Sequence, residues 1–122
     1  MLARADRLTA GPDFTETIRR GRRSGARSLV VHLDPGSPAS TDRPRAGFVV
    51  ARSVGPAVTR NRVKRRLRHL VRGHLGALPA SSRLVVRALP SAAEASSEDL
   101  ERDLSRALQR AVRQGRSGGE RP

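Results

Sequence analysis

From Arg43 to Ala93 the chain runs 51 residues without an aspartate or glutamate, while carrying twelve arginines and lysines. A small fold holds that much like charge most easily when a polyanion neutralises it, and nucleic acid is the commonest such partner. The middle of the window, Arg60-Asn61-Arg62-Val63-Lys64-Arg65-Arg66-Leu67-Arg68-His69-Leu70-Val71-Arg72, concentrates the charge. Coding bias accounts for only part of this. Of 25 basic residues only Lys64 is a lysine, as a GC-rich gene would favour. Such bias does not remove acids, and Asp and Glu occur on both sides of the window.

A chain of 122 residues makes one domain with a modest core. A net charge of +14 and a pI near 12.0 fit a nucleic-acid binder better than a metabolic enzyme. With no cysteine, disulfides, thiolate zinc sites and cysteine nucleophiles are excluded. No apolar run approaches the ~18 residues of a membrane helix. Met1 to Ala10 lacks the apolar stretch of a secretory signal, and Asp6, Asp13 and Glu16 are unusual in an organellar transit peptide. The expected compartment is the cytoplasm.

Pro12 after Gly11, with Gly21 as a stop, predicts a short helix over 11–20 with Phe14 and Ile18 on one face. Strands are predicted over Ser28–Leu33, Ala46–Ala51 and Arg83–Ala88, with a proline-rich loop from Asp34 to Pro44. After Gly55-Pro56 the basic segment reads as a helix to about Arg72. Val63, Leu67, Leu70 and Val71 form its apolar stripe. Asn61, Arg65, Arg68 and Arg72 lie opposite, with Arg62, Arg66 and His69 beside them, as an outward ridge. A last helix opens around Ser96–Asp99 and buries Leu100, Leu104, Leu108 and Ala111, with Arg110 and Arg113 placed to meet its C-terminal dipole. The domain is expected to cover 1–114, with 115–122 a flexible tail.

The residues offer no protein-borne catalytic constellation. His69 and His74 are five apart, about 140° around a helix, so they cannot chelate one metal from one face. The basic window has no carboxylate to act as a base or hold magnesium. Phe14 and Phe48 are the only aromatics besides histidine, too few for a sheet that stacks successive bases. Affinity must then come from arginine–phosphate contacts and shape. Asn61 could reach a base edge or a 2′-hydroxyl, or it could cap the helix.

A basic amphipathic helix alone fits DNA readers, ribosomal proteins and membrane-surface helices alike. A helix-turn-helix would need a second helix and short turn, where this chain has a strand and Gly55-Pro56. The longer run Gly47-Phe48-Val49-Val50-Ala51-Arg52-Ser53-Val54-Gly55-Pro56-Ala57-Val58-Thr59-Arg60-Asn61-Arg62-Val63-Lys64-Arg65-Arg66-Leu67-Arg68 is more specific. It resembles the signature of the protein subunit of bacterial ribonuclease P. Leu8, Asp13-Phe14, Ile18 and Gly21 resemble that family's opening helix, and residues 28–33, 83–88 and 97–113 its early strand, last strand and last helix.

The resemblance implies a two-layer α/β (α+β) sandwich in the order αβββαβα with a left-handed crossover, against the usual rule. The fourth strand is expected around Arg22–Arg27. It further implies that the catalyst is a partner RNA, which uses magnesium to hydrolyse the 5′ leader from precursor tRNA. The protein then binds that RNA and the leader, with no membrane or protein partner. Arg60, Asn61, Arg62, Lys64, Arg65, Arg66, Arg68 and Arg72 are the implied contacts to catalytic RNA. Phe14, Ile18, His32, Arg52 and a strand face through Val49, Ala51 and Ser53 are the implied leader cleft. Phe14 and Ile18 could instead pack in the core. The chain departs from the family pattern at Ile18, often aromatic, at His32, often tyrosine, and at Ser53, where a second basic residue is usual. The alternative function is a ribosomal or other structural RNA-binding protein.

Overall fold

In a computed structural model, most of the buried apolar residues collect on one face of a four-stranded sheet. The structure describes residues 7–8, 11–36 and 39–120, the last six as backbone only. Apart from Arg7 and Leu8, the N-terminal segment read for targeting signals lies outside them.

Strands β1 (Arg22–Gly25), β2 (Leu29–Asp34), β3 (Arg45–Val49) and β4 (Arg83–Ala88) lie in the order β1-β2-β4-β3. β1, β2 and β4 pair antiparallel, and β3 joins β4 in parallel. The parallel pair requires a crossover, which helix α2 (Ala57–Arg72) supplies. Helix α1 (Gly11–Arg20) precedes the sheet and α3 (Ser97–Glu120) follows it. The αβββαβα order and mixed sheet are those expected, with the fourth strand at β1.

Alternation along the strands divides the sheet into two faces. Leu29, Val31 and Leu33 of β2, Leu84, Val86 and Ala88 of β4, and Ala46 and Phe48 of β3 join the main core. They meet Val63, Leu67 and Val71 of α2 and Leu100, Leu104, Leu108 and Ala111 of α3. Each fully buried Leu or Val is worth roughly 1.5–3 kcal/mol. Leu70 packs only partly against this core. Val30, His32, Val85 and Gly47 point to the other face, where α1 packs on β2 and β4. Leu8 is not part of α1. Its N–H bonds the Ala46 carbonyl at 2.8 Å, holding Arg7 and Leu8 beside β3.

Three boundaries differ from the sequence reading. β3 stops at Val49, so Ala51 and Ser53 are not on a strand face. Ala51 is irregular, and Arg52–Val54 forms a 3-10 turn ended by Gly55 at φ +153°. That backbone region is open essentially to glycine alone. α2 begins three residues before Arg60, because its first internal bond runs from the Arg60 N–H to the Pro56 carbonyl at 2.9 Å. The backbone of α3 continues past Gly115, where a flexible tail was expected, to Glu120. Arg110 and Arg113 are therefore not in its last turn. Residues 121–122 of that tail lie outside the described ones. Its start is fixed by a capping box: the Asp99 N–H donates to Ser96 Oγ at 3.0 Å and the Ser96 N–H to Asp99 Oδ2 at 3.4 Å. These bonds, with one from Arg102, lower the Asp99 pKa.

Candidate nucleic-acid interface

α2 turns Val63, Leu67 and Val71 inward, each fully buried, so the arginines must share the remaining surface. They do not share it equally. The side chains of Asn61, Lys64, Arg65, Arg68 and Arg72 make no hydrogen bond or ion pair among the described residues, and Asn61, Arg65 and Arg72 are exposed. Asn61 does not cap the helix; it stands one turn inside it. Asn61, Lys64, Arg65 and Arg68 line a groove of about 690 Å³ that also takes in His69 and Ser97 at the start of α3.

Arg62 and Arg66, expected on the same ridge, are turned toward the protein. Arg62 Nη2 donates to the Ala93 carbonyl at 3.1 Å, and Arg66 Nη1 to the Ala95 carbonyl at 3.3 Å. Both carbonyls belong to the segment that leads into α3, so these arginines brace one helix against the approach to the other. Arg60 is similarly engaged, its Nε donating to the Gly55 carbonyl at 3.2 Å. On α2 the free cationic surface is thus Lys64, Arg65, Arg68 and Arg72, with Asn61 among them.

A second site is built on the opposite face of the sheet. The strand register lines up Arg23, His32, Val85 and Gly47 in one transverse row, and Gly25, Val30, Arg87 and Val49 in the next. Phe14 of α1 lies over Gly47; a Cβ there would overlap the ring. Phe14 is half-buried and Ile18 is 37% exposed, and neither joins the main core. Asp13 pairs with Arg83 at 3.5 Å, tying α1 to β4. Val49 is half-exposed beside the exposed Arg87. Ala51, Arg52 and Ser53 are exposed on the turn beyond the strand rather than along its face.

His32 is only 3% exposed, so it forms the floor of this site and not a wall that a base could touch. Neither ring nitrogen has a hydrogen-bond partner among the described residues. Burial, followed by the charges of Arg87 and Arg23, lowers its pKa and so favours the neutral ring. The sequence reading missed Arg23 and Arg87, which the pairing brings to the Phe14 side of the sheet. The i, i+2, i+4 spacing of Arg83, Val85 and Arg87 was a visible sign that they share a face. Among the described residues no helix is long and apolar enough to cross a membrane.

A small α+β domain with an unpaired arginine ridge on one helix, and a second basic face across the sheet, is built to hold polyanions. The ribonuclease P sequence profile matches residues 2–112. The chain is 59% identical over 100 residues to the ribonuclease P protein component of a Nocardioides species, covering 82% of this chain and 86% of that one. It is 53% identical over 102 residues to the protein component from Acidothermus cellulolyticus, covering 82% of each. Its fold superposes on the RNase P protein of Staphylococcus aureus with a TM-score of 0.76 at 25% identity, over 87% of this chain and 94% of that one. For the Thermotoga maritima protein the values are 0.72, 27%, 85% and 96%. The chain belongs to the ribonuclease P protein family.

Proposed function

We propose that this protein is the RNA-binding subunit of a cytoplasmic ribonuclease P particle, and that it assists a catalytic RNA in removing the 5′ leader from precursor tRNA. The observation that carries the reading is the set of unpaired side chains on α2: Asn61, Lys64, Arg65, Arg68 and Arg72. Unpaired, densely spaced cations on a rigid helix gain most by neutralising phosphates, and they release counterions as they do so. In this reading α2 docks on the catalytic RNA. The leader lies along the α1 side of the sheet, one base against Phe14, with its phosphates near Arg52, Arg87 and Arg23.

Magnesium has no place on α2, which offers cations and a neutral amide but no carboxylate. In the assembled particle the metal would rest on RNA phosphates, and the protein's part is to bind and orient. Hydrolysis is assigned to the RNA.

The test is reconstitution with the cognate catalytic RNA, measuring leader release at limiting magnesium. The protein should lower both the magnesium and the substrate needed. Specific cleavage by protein rigorously freed of RNA would overturn the assignment of catalysis to the RNA. No effect on the RNA's activity would overturn the subunit role.

A further inference from the structure

A second arginine ridge runs along α3, which packs over β1 and β2 beside α2. Arg102, Arg106, Arg110 and Arg113 follow i, i+4, i+8, i+11 and so share one helical face, opposite the buried Leu100, Leu104 and Ala111. Arg27, from the turn between β1 and β2, joins them along a groove of about 710 Å³. At ~1.5 Å per residue the ridge spans roughly 16 Å, long enough to face several consecutive phosphates of one strand.

The ridge is held in place from beneath. Buried Asp103 accepts two hydrogen bonds from Ser28, from its N–H at 3.1 Å and from its hydroxyl at 2.6 Å, which fixes the β1–β2 turn against α3. Arg110 donates to the carbonyl of Gly25, the last residue of β1 before that turn. Arg102 is balanced by Asp99 at 2.6 Å. Arg27, Arg106 and Arg113 have no carboxylate partner among the described residues. None of them serves as a counterion for the helix C-terminus, since α3 continues beyond them.

α3 packs on β1 and β2, and α2 on β3, the opposite edge, while the two helices also touch each other. Three inter-strand spacings of ~4.8 Å put roughly 14 Å of sheet between the two edges. The two ridges are thus separate sets of side chains, and the grooves they line have no residue in common. We infer that this ridge, with Arg27, is a second RNA-binding surface and that its ligand is the sugar–phosphate backbone of a duplex segment. The groove is lined by no aromatic side chain, so it has nothing on which unpaired bases could stack, whereas a duplex is held by its backbone and shape. The inference goes beyond the function proposed above, which uses only α2 and the α1 side of the sheet.

The experiment uses the full chain with Arg65→Ala and Arg68→Ala to weaken the first ridge, titrated with a labelled RNA duplex of about twenty base pairs, longer than the ~16 spanned by a double-stranded-RNA domain. Duplex binding should persist in that background. Adding Arg106→Ala and Arg113→Ala should weaken it at least about tenfold and flatten log K against log salt by about 1.8, or 0.9 per lost contact. Arg106→Lys with Arg113→Lys should keep most of the slope, since the charge remains. Unchanged affinity and slope in the alanine variant, with wild-type circular dichroism, would overturn the inference. So would loss of binding to anionic lipid vesicles with duplex binding untouched. Neither result bears on leader release, which tests the subunit role independently.

Discussion

Phe14 rests on Gly47, and the absence of a side chain at Gly47 is what lets a ring from α1 touch the backbone of β3. The contact lies outside the main core and leaves Phe14 half-buried. Phe14→Ala should therefore weaken binding of leader-bearing precursor by about 1–3 kcal/mol, if one base stacks on the ring, while affinity for mature tRNA is unchanged. Gly47→Ala should act the same way, because the new methyl group displaces the ring. Equal losses for both substrates, with a lowered Tm, would make Phe14 a packing residue.

The two kinds of arginine on α2 separate under mutation. Arg65→Ala with Arg68→Ala removes unpaired cations. It should leave circular dichroism and Tm nearly unchanged and flatten the salt dependence of catalytic-RNA binding by roughly 0.7–0.9 per contact. Arg62→Ala should do the reverse. It strips the Ala93 carbonyl of a charged donor 3.1 Å away, a bond worth about 1.5–3 kcal/mol, and its main effect should be a lower Tm. Salt titration and thermal melts on the same two variants decide the matter; a steep loss of salt dependence in Arg62→Ala would show that it too reaches phosphate.

Much of this was legible in the chain itself. The stripe Val63, Leu67, Val71 identified α2 and its buried side, because helical periodicity is a local property. What escaped the sequence was nonlocal. Arg62 and Arg66 find carbonyl partners 31 and 29 residues away, which no helical wheel displays. His32 sits on a strand whose first five residues are all buried, since α1 covers one face and α3 the other; alternation cannot mark an open side on such a strand. Phe48 to Ala51 reads as continuing strand because every residue in it is apolar, yet β3 ends at Val49, ahead of the turn that Gly55 closes.

Leu67→Asp probes the buried side of α2 directly. A carboxylate forced into a fully buried position among Val63, Val71 and the sheet should cost on the order of 3–5 kcal/mol, enough to unfold so small a domain. Chemical denaturation monitored by circular dichroism provides the measure. A variant as stable as wild type would mean the faces of α2 are assigned the wrong way round, and the RNA ridge with them.

His32 makes stability depend on pH in a defined direction. Its pKa in the folded protein is lowered below the ordinary imidazole value of 6.5 by burial and by Arg87 and Arg23. Below pH 6.5 the unfolded chain therefore binds a proton at this site that the folded chain resists. The contribution is fully present above pH 6.5 and is lost progressively as pH falls from there toward the folded-state pKa. His32→Leu removes both the titration and two buried ring nitrogens that lack partners among the described residues. Its Tm should exceed that of wild type, and the gap should widen between pH 7 and pH 5, the range just around that ~6.5 reference value. Parallel Tm curves for the two proteins over this range would mean that His32 takes up its proton as readily folded as unfolded, and that the floor of the α1 site is open to water.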